Sequence, residues 1–597
     1  MEPNRTDKRL VVAAALIAMV LAAGMVHVFK YRLFLGAAMM LNYARSSLAP
    51  PGTLTLEMAP VAQHGALDTP VPTAAVPGSI ATSLDWSGYN RTLTSARYSP
   101  LDQINRENVG SLKVLCTYDT KERGRFSVGP IVVGGTLIGT TDDDIFSIDA
   151  ATCRQNWRTH EHYAHGTLSG NRGAAYLDGN VYRGTPDGRV LAYDFKTGAR
   201  LWQTPIADAR LGESTPAAPI AWNGLIFIGN AGGDLKGVKG RIYALDAQSG
   251  AIVWEVYLVP KQPGDPTRGP QATTPLDAST WANQSMTPIT GGATWTSYTL
   301  DPTRAELYIP SGNPAPDFAT GPRAGANLYS GSVVVLDAKT GAYKRHFKVV
   351  PTDWHDWDVS NTPILVETRS GKRLLSVAPK DGHLYGFDLD ANTLLYRMPV
   401  TRIENADAIF STDEAIHFCP GSGGGAEWNS PAYDPRTNLI VIGEVDWCTT
   451  VTLQTDAKIR AVGQGQLWTG MATRNPYNIL GVMDSYRQWA GWVYASDADT
   501  GAWRWRTKSN YPILSGVTPT AGGIVFFGDM GGNFYALDTA TGQRRWGENL
   551  GGAIGGGVIT YSAGGAQRLA VAAGYTSILW PTKNVTGKIV ILGLPGT

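Results

Sequence analysis

The sequence predicts an all-β protein: an eight-bladed β-propeller with W-type turn motifs, preceded by one N-terminal transmembrane helix. Three observations carry this expectation: a turn motif that recurs along the chain, a composition rich in turn-forming and aromatic residues, and one long uncharged stretch near the N-terminus. The motif reads aromatic or aliphatic, small, aliphatic, Asp, two or three residues, Thr-Gly or a stand-in, then Trp. Its copies end at Trp157, Trp202, Trp254, Arg345, Tyr396, Trp505 and Trp546, and its aspartates are Asp149, Asp194, Asp246, Asp337, Asp388, Asp497 and Asp538. Each copy alternates at strand period, turns at Asp-x-x-Thr-Gly and resumes as a second strand. One such unit cannot bury its own apolar face, so the copies must stack around a common core.

Most intervals between these aspartates fit one four-stranded blade of on the order of 40–50 residues. Two intervals are roughly twice the blade repeat and are read as loop insertions near 257–290 and 450–490. Residues 551–594 lack the turn motif and are expected to form a terminal blade. An early strand between Trp86 and Tyr98 is expected to pair with it and close the ring. Closure leaves only short, protected edges. A seven-bladed ring is the alternative.

The chain of 597 residues holds 69 Gly, 36 Pro, 25 Tyr and 18 Trp, which suits a turn-rich β protein. Charged residues make up 17% and the formal net charge is +1, with no basic run, so no nucleic-acid partner is expected.

The N-terminus is set apart. A polar, basic start is followed by Leu10 to Phe29, a stretch without Asp, Glu, Lys or Arg and long enough to cross a bilayer as a helix. Residues 1–32 are therefore expected to form a membrane anchor, with a cleaved signal as the alternative. Residues 33–84 are expected to be an interfacial segment and a Pro-, Ala- and Thr-rich linker, and 85–597 the propeller. Basic residues before the span favour a cytoplasmic N-terminus. The expected address is the bacterial inner membrane, with the propeller in the periplasm. Four cysteines fit an oxidising compartment: Cys116 and Cys153 flank one blade's length, and Cys419 and Cys448 bracket another. Two bridges or four buried thiols are both open from spacing alone. The sequence has no CxxCH motif for a covalent haem and no CxxC pair for zinc.

The chain resembles the pyrroloquinoline quinone (PQQ)-dependent alcohol dehydrogenases, quinoproteins with an eight-bladed propeller. The opening WSGYNRTLTSARYSPLDQINRENVGSLKV resembles the family's blade entry, and the likeness runs from about residue 85 to 594. The spacing from Cys419-Pro-Gly to Cys448 resembles a family disulfide. Such a site needs a flat aromatic beneath the quinone, cations for its carboxylates, a hard metal ion with oxygen ligands, and a carboxylate base for the substrate hydroxyl. The cofactor carries the difficult chemistry, and the protein orients it.

The resemblance assigns roles residue by residue. Trp295 in GGATWTSYTLDP is the expected floor under the quinone, and Arg172 in SGNRGAAY the partner of a PQQ carboxylate. Members of the family often carry two adjacent cysteines ahead of the NRG sequence, where this chain has Gly166 and Thr167. Thr167 is therefore expected in a different upper wall, as in sugar-oxidising relatives that also lack the pair. Asp234 in GNAGGDLKGVKG stands where the family has Glu, and Asn313 in IPSGNPAPDF matches an Asn ligand. Asp356 in VPTDWHDWDVSNTP is the expected metal ligand and base, with Asp358 as the rival for the base and a further candidate ligand. Lys380 in VAPKDGHLYGFD is expected near the quinone oxygens. Glu427 and Trp428 in GGGAEWNSPAY occupy the family's Asn-Trp position, and the Glu adds a negative charge near a tricarboxylate. Each of these residue types also serves as an ordinary turn or packing residue.

These assignments imply oxidation of an alcohol, polyol or sugar hydroxyl to a carbonyl. The implied metal is calcium, with a lanthanide as the alternative. Electrons would pass to a separate cytochrome c or to ubiquinone. Trp281, Trp468, Tyr486 and Trp489 in the inserted loops are expected to rim the pocket. The competing class is a non-enzymatic envelope scaffold, or a degenerate relative without cofactor, since such propellers share the turn motif.

Overall fold

The computed structural model describes residues 53–61, 84–163, 170–272, 278–282, 287–472, 480–577 and 579–596. The expected span at residues 10–29 lies outside these. Among the described residues no helix is long and apolar enough to cross a membrane.

Each complete turn motif performs the same local chemistry. Asp194 Oδ1 accepts from the backbone N–H groups of Lys196 and Thr197 and from the Thr197 hydroxyl. Asp246, Asp337 and Asp497 do the same with Ser249, Thr340 and Thr500. The residue four beyond each Asp must turn left-handed, hence Gly198, Gly250, Gly341, Gly501 and Gly542 at φ between 70° and 73°. The motif Trp reaches forward to the next copy. Trp157 Nε1 donates to Phe195 O at 3.0 Å, Trp202 to Ala247 O at 3.1 Å, and Trp254 to Ala338 O at 3.2 Å. A Cβ on Gly198 would lie 2.4 Å from the Trp157 ring. Glycine and tryptophan are thus two halves of one joint between consecutive units.

The described residues form eight antiparallel sheets with four strands in sequence order, over 131–160, 175–205, 220–257, 299–348, 364–399, 432–509, 518–549 and 558–593. The eighth gains its fourth strand from Lys113–Asp119, and the sixth gains a fifth, Glu57–Met58, on its edge.

Successive sheets share apolar cores. Ile138 and Ile145 of the first pack with Val181 and Leu191 of the second. Residues of the second, third and fourth join through Tyr182, Phe227 and Leu307. Val335 meets Leu375, and Leu384 meets Ile440. Val441 meets Phe527, and Phe526 meets Leu569. The cycle closes where Ile559 and Ile591 of the eighth sheet pack on Leu137 and Phe146 of the first. Each such buried side chain contributes roughly 1.5–3 kcal/mol relative to exposure, so the junctions hold the fold.

The closing strand is not the expected one. Lys113–Asp119 pairs with Lys588–Gly593, placing Cys116 opposite Ile591. Between Trp86 and Tyr98 the backbone turns through positive φ at Arg91, Ser95 and Arg97, which no strand tolerates. That segment instead buries the Arg97 guanidinium, which donates to the carbonyls of Val517 and Val558 and to Asn90.

Both cysteine pairs are bridged. Cys116–Cys153 ties the closing strand to the first sheet's turn, and Cys419–Cys448 ties the loops around the inserted segment. The insertion at 450–490 contains a short helix, Asp456–Arg460, and two strands of a small three-stranded sheet formed by Ile416–Phe418, Thr449–Val451 and Val482–Met483.

Candidate active site

The strands of each sheet run alternately up and down. Connections from second to third strand, and from the fourth strand to the next sheet, therefore fall at one end, and the Asp-x-x-Thr-Gly turns fall at the other. Every candidate residue within the described residues lies on a connection of the first kind. Arg172, Trp295, Asp356, Asp358, Glu427 and Trp428 precede a sheet's first strand. Asp234, Asn313 and Lys380 sit between second and third strands. The motif that defines the fold thus lies opposite the site.

These nine residues line one cavity of about 300 Å³, a volume at the lower end for a small-molecule site. Thr167 lies outside the described residues.

Lys380 is the hub of the polar side. Its Nζ lies 2.8 Å from Asp358 Oδ2 and 3.3 Å from Asp356 Oδ2. Burial alone would lower its pKa, but Asp356, Asp358 and Glu427 together hold it well above the usual lysine value. Asp358 is engaged on its other side too: Oδ1 accepts from Trp295 Nε1 at 3.3 Å and from the Asn313 backbone N–H at 3.1 Å.

Asp356 is held differently. It is buried and sits at φ 66°, a left-handed conformation that L side chains avoid. Asp353 fixes this turn by accepting from the His355 and Trp357 backbone N–H groups, while the His355 ring stacks on Trp357 at 3.8 Å. Burial drives the Asp356 carboxyl well above the usual range, against the pull of Lys380. Burial also pushes Asp234 to about 6, with Asp358 adding to it and Lys380 opposing. Glu427 rises to about 7 for the same first reason, so its negative charge is suppressed near neutrality.

The apolar side is built by tryptophans. The Arg172 guanidinium lies 4.9 Å from the Trp295 ring centroid and 4.2 Å from that of Trp428, within cation–π range. Trp428 Nε1 is fixed by Gly555 O at 2.6 Å. Arg172 Nη1 donates to Ser127 Oγ at 3.1 Å.

Among the residues that sequence reasoning missed here are two charged ones. Arg125 lines the cavity beside Arg172, giving a second cation. It lies in the short connection KERGRFS, where a basic residue carries no signal of its own. Asp317 lies four residues beyond Asn313 and is fully buried. One carboxylate oxygen from each of Asp234, Asp317 and Asp356 lies within 4.8 Å of the other two. An Asp in a Pro-rich turn reads as a turn residue, which hid it.

The expected aromatic rim is corrected. Trp281, Trp468, Tyr486 and Trp489 are not among the residues lining the cavity. Trp281 and Trp468 pack their own loops, Trp281 Nε1 donating to Leu328 O and Trp468 Nε1 to Ile459 O, whereas Tyr486 and Trp489 pack behind the cavity wall with Trp428 and Trp580. The 450–490 insertion reaches the cavity through Leu467 and Leu480 instead.

A family model described as the β-propeller domain of glucose, ethanol and alcohol dehydrogenases with PQQ matches residues 86–408. The alcohol dehydrogenase (quinone) dehydrogenase subunit of Komagataeibacter europaeus is 30% identical over 551 residues, covering 83% of this chain and 72% of the relative. The chain belongs to the PQQ-dependent alcohol dehydrogenase family. Members of this family are quinoprotein oxidoreductases, and this chain is one of them. The lanthanide-dependent methanol dehydrogenase of Methylacidiphilum fumariolicum is 28% identical over 528 residues, covering 80% of this chain and 82% of that protein. The solved structure of quinohemoprotein alcohol dehydrogenase ADHIIG from Pseudomonas putida superposes with a TM-score of 0.77 at 25% identity, covering 89% of this chain and 83% of that one. A second family model, for outer membrane protein assembly factor BamB, matches only residues 490–588, a stretch containing two copies of the turn motif.

The side chains present fit the family's cofactor. Trp295 and Trp428 offer flat faces, and Arg125, Arg172 and Lys380 offer cations for carboxylates and quinone oxygens. Asp234, Asp317 and Asp356 bring carboxylate oxygens within 4.8 Å of one another, a donor set that suits a hard cation.

Proposed function

We propose that this protein oxidises an alcohol, polyol or sugar hydroxyl to a carbonyl with PQQ and a hard cation, calcium or a lanthanide. The observation that carries the reading is the convergence of Asp356, Lys380 and Trp295 on one cavity that also holds clustered carboxylates. Bound PQQ supplies the two-electron acceptor that receives hydride from the substrate carbon. Asp356 is placed to take the hydroxyl proton, and a cation held beside it would favour its ionised carboxylate against the effect of burial. Lys380 would lend positive charge at the quinone oxygens, and Asp358 fixes Lys380 in place. Asp234 and Asn313 would hold the cation with Asp356. Trp295 and Trp428 would offer their faces to the cofactor, and Arg172 and Arg125 would meet its carboxylates. Burial pushes the Glu427 carboxyl up to about 7, which lessens the negative charge that would repel them.

The eight sheets are read as the eight blades of one ring, supported by the closed cycle of shared cores. Residues 10–29 are proposed as an uncleaved anchor in the bacterial inner membrane, with the propeller in the periplasm, a setting in which both disulfides form. Electrons would then leave to a cytochrome c or to ubiquinone.

The test is dye-linked oxidation by protein reconstituted with PQQ and calcium or lanthanum, across simple alcohols, polyols and aldoses. Turnover in at least one class is expected. PQQ bound with no turnover in any class would overturn the substrate assignment.

A further inference from the structure

We propose that Asp317 is a direct cation ligand and sets the preference of the site for ion charge. The inference rests on the reading of the site as a PQQ–cation centre, but it concerns a residue that reading does not need. Three observations carry it.

First, Asp317 shares a three-carboxylate cluster with Asp234 and Asp356, one oxygen of each lying within 4.8 Å of the other two. Second, its two oxygens are unequally used. Oδ1 accepts from Asn313 Nδ2 at 3.0 Å, whereas Oδ2 is buried with no hydrogen-bond partner among the described residues. A fully buried carboxylate oxygen left bare costs free energy unless something positive meets it. No cationic side chain does so directly: the nearby Arg323 donates to the carbonyls of Pro316 and Asp317 and leaves the carboxylate alone.

Third, the fold builds the position. Phe318 N donates to Thr469 O, and Trp468 N donates to Asp234 O. Adjacent residues of the inserted loop thus clamp both acidic loops at once. Asp234 has a shorter arm than a Glu, and Asp317, on the facing loop, supplies a further oxygen to the same point.

Asp358, the other extra carboxylate, is placed otherwise. Its charge is met by Lys380 at 2.8 Å, and both its oxygens already accept hydrogen bonds or a salt bridge. The carboxylate that adds charge to the ion is therefore Asp317. Coulomb attraction scales with ionic charge, so a third carboxylate favours a trivalent over a divalent ion of similar size.

The experiment uses the full-length protein in detergent, stripped by chelator and without PQQ, titrated with terbium alone. Luminescence sensitised by nearby tryptophan is read, with calcium and lanthanum as competitors. Asp317→Asn keeps the shape and the acceptor for Asn313. We expect it to weaken terbium binding at least tenfold and to narrow the lanthanum-over-calcium preference. Its melting temperature in chelator should be unchanged or higher, which a merely structural role would not give. Terbium affinity equal to wild type overturns the proposal. If Asp317→Asn does not fold, Asp317→Glu decides: a ligand moved by one methylene must change either terbium affinity or the number of bound waters read from the luminescence lifetime, and no change in both overturns the assignment. Failure of the PQQ reading would show separately, as intact terbium binding with no PQQ uptake.

Discussion

Lys380 and Asp358 form a buried ion pair, Nζ to Oδ2 at 2.8 Å, beside the cavity. The pair separates the tasks of two carboxylates two residues apart. Asp358 is committed to Lys380, the Trp295 indole and the Asn313 backbone. Asp356 reaches Lys380 only at 3.3 Å and faces the carboxylate cluster. In the proposed mechanism Asp356 is therefore the base and Asp358 a positioning residue.

Asp356→Asn should lower turnover by roughly 10²–10⁴-fold with the fold intact, because an amide cannot accept the substrate proton. Asp358→Asn should cost less turnover and should instead loosen cofactor binding by releasing Lys380. Steady-state kinetics and PQQ titration on both variants check this. A larger loss of turnover with Asp358→Asn would reverse the roles.

Arg125→Ala and Arg172→Ala should each weaken PQQ binding about tenfold or more, since a charge-assisted hydrogen bond contributes roughly 1.5–3 kcal/mol. Arg172→Ala should have the further effect of freeing the faces of Trp295 and Trp428, visible as a change in tryptophan fluorescence. Calorimetry with wild-type affinity for either variant would remove that arginine from the cofactor's contacts.

Cation affinity of the cofactor-free protein should rise with pH. Burial raises Asp234 to about 6 and lifts Asp356 well above the usual carboxylate range, so both hold protons that a cation must displace. The sign for stability is the opposite. A carboxyl raised in the folded state contributes stability below its unfolded pKa, and that contribution is lost as pH rises through about 6 for Asp234. Terbium titrations at pH 5, 6 and 7 should tighten stepwise, and Asp234→Asn should flatten the trend. Affinity independent of pH would contradict it.

The Cys116–Cys153 bridge encloses 37 residues and spans the ring junction. Replacing both cysteines by Ser should cost roughly 3–4 kcal/mol by loop-closure entropy, read as a lower denaturant midpoint with a steeper slope, because the unbridged unfolded chain exposes more surface.

The proposed anchor makes extraction diagnostic. The native protein should need detergent for release, and a reporter fused after residue 597 should be active in the periplasm. Soluble, N-terminally trimmed protein released by osmotic shock would show a cleaved signal instead.

The repeat was legible because its chemistry is local. Asp194, Thr197 and Gly198 form their turn within a few residues, and Trp157 needs only the next copy to dock. The ring closure was not local: Lys113–Asp119 pairs with a strand more than 450 residues away and carries no turn motif. The polar run near Arg97 looked like a strand because its left-handed turns have no glycine to announce them. At the site, residues inside family-like segments, such as Trp295 and Lys380, could be read in order. Asp317 and Arg125 could not, because their meaning depends on loops from different sheets meeting at one end. The aromatic residues of the inserted loops could not be placed for a related reason: composition reports that a loop is aromatic but not whether its rings line the cavity or pack behind its wall.

The most direct test of the central claim is calorimetric titration of the chelator-treated protein with PQQ, with and without calcium or lanthanum. The account predicts one equivalent of PQQ bound when either cation is present, and binding at least tenfold weaker without a cation or in Trp295→Ala. No PQQ binding in the presence of either ion would contradict it.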